Sequence, residues 1–176
     1  MRALIFGLVT TLFAQAQIPG IPGVPGLTGE PKNPDASTYA LLSEVKSIAP
    51  GQKFSVALAL THQEGWHSYY KNPGGIEDSP TISWKLPAGF QAGDMQWPTP
   101  HVADPAFQFD DANPEKAYTY SNSDGFFITE ITVPADLKVG STVTITADAK
   151  WQICKDSCVN EKALLSIELP VAATAE

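Results

Sequence analysis

Apolar and polar residues alternate with a period of two along several short runs, and this pattern most constrains the fold. In the clearest run, Phe54, Val56, Leu58 and Leu60 alternate with small or polar residues, as in a strand with one buried face. Similar runs, each bounded by Gly, Pro, Asn or Asp, cover 39–48, 66–70, 81–86, 126–133, 142–151 and 164–169. No stretch offers an amphipathic helix longer than a turn or two. The pattern predicts an all-β protein, an immunoglobulin-like antiparallel β-sandwich.

The start of the chain differs in composition from the rest. Residues 1–16 combine an early arginine, a short apolar run and an Ala-Gln-Ala ending, which indicates a signal peptide that is cut after Ala16. Residues 17–35 carry glycine at every third place among prolines. This run is too short for a collagen helix and predicts a polyproline-type linker. We therefore expect one globular domain over 36–172 and a tail over 173–176.

The charge and the predicted signal peptide restrict the environment and the partners. The 176 residues carry a formal net charge of −8, which argues against nucleic acid and anionic membrane surfaces as partners. A cleaved signal peptide predicts a periplasmic or secreted protein in an oxidising compartment, where disulfides persist. No further membrane segment is evident in the sequence.

The only two cysteines, Cys154 and Cys158, are four residues apart. Four residues of extended strand span about 13 Å, whereas bridged Cα atoms lie roughly 4.4–6.8 Å apart. A bridge between them therefore requires a turn or a single helical coil at the end of a strand. So short a loop contributes only about 2 kcal/mol to stability in the chain-entropy estimate. The spacing thus favours a redox role over a structural one.

Two other stretches contain candidate binding residues. His67 and Tyr69 share one face of a predicted strand, while the neighbouring Trp66 is expected to fill the core. The stretch 101–116 has no strand period and contains Phe107 and Phe109. A loop of this length predicts either a lid or binding loop, or ordinary packing of exposed phenylalanines.

Five motifs in order resemble the periplasmic N-terminal domain of DsbD-type transmembrane thiol:disulfide reductases, including the branch associated with copper-sensitivity suppression. The resemblance covers nearly all of residues 37–170. The motifs are Ser43-Glu44-Val45…Ile48-Ala49-Pro50-Gly51, Gly65-Trp66-His67…Tyr70…Asn72-Pro73-Gly74, Trp84…Leu86-Pro87…Gly89-Phe90, Gln96-Trp97-Pro98-Thr99-Pro100 and Trp151…Cys154-Lys155-Asp156…Cys158.

The resemblance implies an immunoglobulin-like domain whose Cys154 and Cys158 cycle between dithiol and disulfide. Such domains receive electrons from the membrane-embedded and thioredoxin-like parts of the reductase and pass them to periplasmic disulfide proteins. The sequence shows neither of those parts, so we expect the electron donor, a thioredoxin-like or membrane-embedded reductase, to be a separate protein. We expect no cofactor. The residues that shield the pair or contact partners would be His67, Tyr69, Phe107, Phe109 and Trp151. The sequence departs from the family at Asn160, where a proline is common after the second cysteine.

Two alternatives to a redox carrier remain open from the residues alone. One is a non-catalytic binding or assembly module whose disulfide only pins a loop. The other is a Cu(I) or Zn site in which the two thiolates combine with His62, His67, His101 or Met95.

Overall fold

The computed structural model describes residues 36–73, 78–102, 118–122 and 125–176. Within these ranges the chain forms ten strands and no helix. The strands are β1 (Ser37–Ser43), β2 (Lys53–His62), β3 (His67–Tyr69), β4 (Thr81–Lys85), β5 (Gln91–Ala92), β6 (His101–Val102), β7 (Tyr118–Ser121), β8 (Gly125–Thr132), β9 (Thr142–Cys154) and β10 (Cys158–Pro170).

Some of the predicted features lie outside the described residues. They are the signal peptide over 1–16, the linker over 17–35, and the two loop phenylalanines, Phe107 and Phe109. A search of the described residues for a helix long and apolar enough to cross a membrane finds none.

The strands form two antiparallel sheets. One sheet has four strands in the order β1-β2-β8-β5. The other has six strands in the order β10-β9-β3-β7-β6, and β4 pairs with β9 beside β3. The long strands β8, β9 and β10 alternate between buried and more exposed residues, because neighbouring side chains point to opposite sides of a sheet. The predicted all-β sandwich is therefore confirmed.

Aliphatic residues from both sheets fill the core between them. Val56, Leu58 and Leu60 of β2 face Ile145 and Ile153 of β9 across the core, and all five are fully buried. Each such side chain contributes about 1.5–3 kcal/mol relative to an exposed position. At one end Phe127 packs edge to face against two further aromatic rings, those of Trp97 at 5.4 Å and Tyr120 at 5.3 Å between centroids.

Two predicted strand boundaries differ from the observed ones by more than three residues. The run 39–48 ends as a strand at Ser43, because the Ser43 hydroxyl donates to the Val45 carbonyl at 2.7 Å and accepts from the Val45 amide at 3.2 Å. This local turn competes with further strand pairing. The run 164–169 extends back to Cys158, because every residue of β10 pairs with β9.

The hairpin of β9 and β10 positions the cysteines. Both strands have 13 residues, and their register runs from the pair Pro170↔Thr142 to the pair Cys158↔Cys154. The predicted course of these two strands, out to the cysteine turn and back beside one another, is confirmed. The cysteines therefore lie at the end of the longest hairpin in the described part of the chain.

Candidate redox site at the end of a hairpin

The two cysteines form a disulfide across the end of the β9–β10 hairpin. Cys154 is the last residue of β9, Cys158 is the first of β10, and the two are direct partners in the register. Their Cα atoms are 4.1 Å apart and their Sγ atoms are bonded. Three exposed residues, 155–157, make the turn. The turn required by the sequence spacing is thus present, and it lies at a strand end.

The two sulfurs differ strongly in accessibility. Cys154 is fully buried, with 0% of its surface exposed, whereas Cys158 is exposed. The sheet explains the difference: β9 has neighbours on both sides, and His67 of β3 lies directly opposite Cys154. β10 is the last strand in the sheet order of the described residues. A reactant approaching from solvent therefore meets the Cys158 sulfur first.

His67, the β3 residue paired in register with Cys154, lies together with Tyr69. The Nε2 atom of His67 is 3.0 Å from the Tyr69 hydroxyl, and the rings meet edge to face with centroids 5.2 Å apart. Both residues are buried, and burial lowers the pKa of His67 below its usual value. Burial therefore disfavours the charged imidazolium at this position. Their predicted common face is confirmed.

Trp151 lies on the opposite face of β9 from the cysteine. It is three residues before Cys154, and strand alternation turns an odd step to the other side. Its ring is buried and packs edge to face on Tyr39 of β1, with centroids 5.0 Å apart. The structure thus groups His67, Tyr69 and Cys154 but not Trp151, whose role in partner contact stays a prediction.

The turn before β3 supports the cysteine turn, a contact that sequence reasoning missed. The Lys155 ammonium donates to the carbonyl oxygen of Glu64 at 3.3 Å. Gly65 has a φ of +80°, and a Cβ there would lie 2.9 Å from Lys155 Cε. Glycine meets both demands, the left-handed backbone and the close approach. The motif containing Gly65 was visible in the sequence, but its contact with Lys155 was not.

Gln152 is a second residue that sequence reasoning missed. It lies on the same face as Cys154, and its Oε1 atom is 3.9 Å from the Cys154 sulfur. Its Nε2 donates to Asn160 Oδ1 at 3.0 Å. Asn160, the position where the family commonly has proline, therefore holds Gln152 across the hairpin. The available sequence signal was parity, since residues two apart on a strand share a face.

The residues considered for a metal site are dispersed. His62 is buried and engaged with Ser68 Oγ at 3.0 Å, His101 is exposed on β6, and Met95 packs against the core. Of these candidates, His67 is the one paired in register with a cysteine. The described residues contain no group of three or more His, Cys, Asp or Glu side chains arranged to hold a metal ion.

Comparison with solved structures relates the fold to known proteins. The N-terminal periplasmic domain of ScsB from Proteus mirabilis matches with 16% identity and a TM-score of 0.52, over 83% of this chain and 51% of that one. This chain therefore spans about half of that structure, and the likeness is one of fold. The yeast GGA1 GAE domain matches with 13% identity and a TM-score of 0.39, over 81% of this chain and 96% of that one. That similarity is too low to carry an argument.

The comparison with sequence families is more specific. None of the curated proteins matches the chain significantly. The model of the family described as thiol:disulfide interchange protein DsbD, N-terminal, matches residues 40–169. That range includes both cysteines, all but the last residue of the hairpin that carries them, and His67 with Tyr69. The predicted relationship is confirmed: this chain belongs to the family of DsbD N-terminal domains.

Proposed function

We propose that the domain exchanges thiols and disulfides in the periplasm through Cys154 and Cys158. In this proposal it takes reducing equivalents from a thioredoxin-like or membrane-embedded reductase and passes them to periplasmic disulfide proteins. The observation that carries the proposal is the unequal exposure of the bridged sulfurs in a member of this family, with Cys158 open to solvent and Cys154 buried.

The accessible sulfur determines the order of the steps. Reduction of the oxidised domain begins when a partner thiolate attacks Cys158 Sγ. The Cys154–Cys158 bond breaks, and Cys154 leaves with the electron pair and takes up a proton. The second partner thiolate then attacks the partner's own sulfur and releases Cys158. Two electrons and two protons are thereby transferred to the domain. The reverse sequence reduces a substrate disulfide, beginning with attack by the Cys158 thiolate.

His67 and Tyr69 support this scheme by occupying the space beside Cys154. Both are buried and joined by their 3.0 Å contact. Attack on a disulfide requires access to the sulfur, so packing around Cys154 directs a partner to Cys158. Phe107, Phe109 and Trp151 are proposed to complete the shield and the partner contacts, as the family resemblance implies.

A trapping experiment tests the proposal. The partner is a thioredoxin-like protein that keeps one cysteine, activated as a mixed disulfide with thionitrobenzoate. Cys154→Ser should displace thionitrobenzoate and form a stable mixed disulfide through Cys158, faster than Cys158→Ser by roughly tenfold or more because of access. Equal rates would remove the selection of Cys158. No complex with either variant would refute exchange itself.

The reduction potential of the pair separates exchange from a purely structural bridge. Structural disulfides of secreted proteins have potentials below about −300 mV, while exchange pairs lie above that value. Equilibration with dithiothreitol and glutathione buffers measures the potential directly. A value below that limit would favour the binding or assembly module with a structural disulfide.

A further inference from the structure

The amide of Gln152 has a fixed orientation beside the buried sulfur. Its Oε1 accepts a hydrogen bond from the backbone amide of Asp78 at 3.3 Å, and its Nε2 donates to Asn160 Oδ1 at 3.0 Å. A backbone N–H can only donate, so the end of the Gln152 amide that faces Asp78 is the oxygen. That same oxygen lies 3.9 Å from Cys154 Sγ.

The Gln152 oxygen favours one protonation state of the reduced cysteine. In the disulfide the Cys154 sulfur carries no hydrogen, but reduction supplies one electron and one proton to each sulfur. The resulting Cys154 thiol faces a carbonyl oxygen that can accept its hydrogen bond. A carbonyl oxygen stabilises the neutral thiol and presents the negative end of its dipole to a thiolate, which raises the pKa of the thiol.

The other groups around Cys154 do not reverse this preference. Burial lowers the pKa of His67, directly opposite on β3, and so disfavours a positive charge there. The other charged residues of this region include two acidic ones, Asp78, whose backbone amide binds Gln152, and Asp156 in the cysteine turn. The cation of the turn, Lys155, donates to a backbone carbonyl of the turn before β3.

We propose that Gln152 holds Cys154 as a protonated thiol in the reduced domain, so that the thiolate of the pair forms on Cys158, which meets the partner. This role rests on the exchange reaction proposed above and adds a residue to it. The two cysteines would then differ in protonation as well as in burial.

Gln152 then also governs the lifetime of the mixed disulfide. To release a substrate, Cys154 must lose its proton to solvent and attack Cys158 Sγ. The Cys154–Cys158 bond forms, the Cys158–partner bond breaks, and the electron pair leaves with the partner's sulfur. A neutral amide oxygen cannot take up that proton, so Gln152 slows release and keeps the partner bound for longer.

The pKa of Cys154 tests the proposal without any partner. In a Cys158→Ala background, the ¹³Cβ chemical shift of Cys154 reports its titration even though the thiol is buried. Gln152→Ala removes the acceptor and should lower the pKa of Cys154 by about 0.7 unit, the equivalent of one hydrogen bond. Gln152→Glu places a carboxylate at the same point and should raise it. Gln91→Ala, at an exposed glutamine of β5 in the other sheet, should change nothing.

Release of a trapped partner provides the second measurement. At a pH below the pKa of Cys154, a pKa lower by about 0.7 unit gives about five times more thiolate. Each thiolate is then about twofold less nucleophilic, so Gln152→Ala should release the partner about twofold faster. A Cys154 pKa that is the same in wild type, Gln152→Ala and Gln152→Glu overturns the role of Gln152. Absence of exchange in the wild type would instead overturn the proposed function, and the pKa comparison would still decide the role of Gln152.

Discussion

Reduction of the Cys154–Cys158 bridge should lower the free energy of unfolding by only about 2 kcal/mol. The bridge closes a loop of five residues, for which the loss of chain entropy in the unfolded state gives about 2 kcal/mol, compared with about 4.7 for a loop of a hundred residues. The folded state adds little to this, because 13 paired residues of β9 and β10 already hold the cysteines opposite each other. The fold should therefore survive both redox states.

The reduction potential of the pair must reflect the same change in unfolding free energy. By linkage, the folded domain stabilises its disulfide over that of the unfolded chain by the difference in unfolding free energy between the oxidised and reduced forms. About 2 kcal/mol corresponds to about 40 mV for a two-electron couple. The folded pair should thus have a potential about 40 mV more negative than the same pair in the denatured chain.

Urea unfolding followed by tryptophan fluorescence measures the first quantity, with and without excess reductant. Redox titration in buffer and in concentrated urea measures the second. A Cys154→Ser, Cys158→Ser double variant is the control, since its unfolding should not respond to reductant. A loss above about 4 kcal/mol, or loss of cooperative unfolding on reduction, would refute the loop-entropy reasoning and indicate a bridge that is needed for folding.

Two further predictions concern the surroundings of the pair. Gly65→Ala should destabilise the domain by about 1–2 kcal/mol because of its left-handed backbone, and by somewhat more because Lys155 must move. The control is Gly140→Ala, which has a φ of +86° and nothing within 4 Å of an added Cβ, and which should show the backbone cost alone. Equal losses of stability in the two variants would mean that Lys155 adjusts freely. Burial lowers the pKa of His67, so the stability that this residue contributes is complete above about pH 6.5 and is lost as the pH falls through its folded pKa. The unfolding free energy of the wild type minus that of His67→Gln, measured between pH 5 and 8, should therefore rise with pH and level off above about pH 6.5. A difference that does not change with pH would contradict a lowered pKa for His67.

Alternation in the sequence was sufficient to predict the sandwich and the faces of its strands. Leu58 and Leu60 were assigned to a buried face, and both are fully buried. His67 and Tyr69 were placed on one face, and their side chains are in contact. These inferences succeed because the strand period is a local property, fixed by the geometry of the backbone and independent of which strands later pair.

The contacts between distant strands could not be predicted in this way. Nothing local connects Gly65 to Lys155 or aligns His67 with Cys154, because those contacts depend on β3 pairing with the end of β9. Strand order within a sheet is set by the whole chain, and a single sequence specifies faces more strongly than neighbours.

The difference between the two cysteines shows why that distinction matters for function. Both cysteines lie on the same face of the hairpin as a direct pair, so their local sequence gives no reason for one to be buried and the other exposed. The difference arises because Cys154 ends a strand with neighbours on both sides, while Cys158 begins the strand at the end of the sheet order. Access, one of the two properties that decide which thiol reacts, is therefore set by the position of each strand in the sheet. In the proposed exchange, access alone can therefore select the Cys158 sulfur, and the proposed role of Gln152 adds a preference in protonation to it.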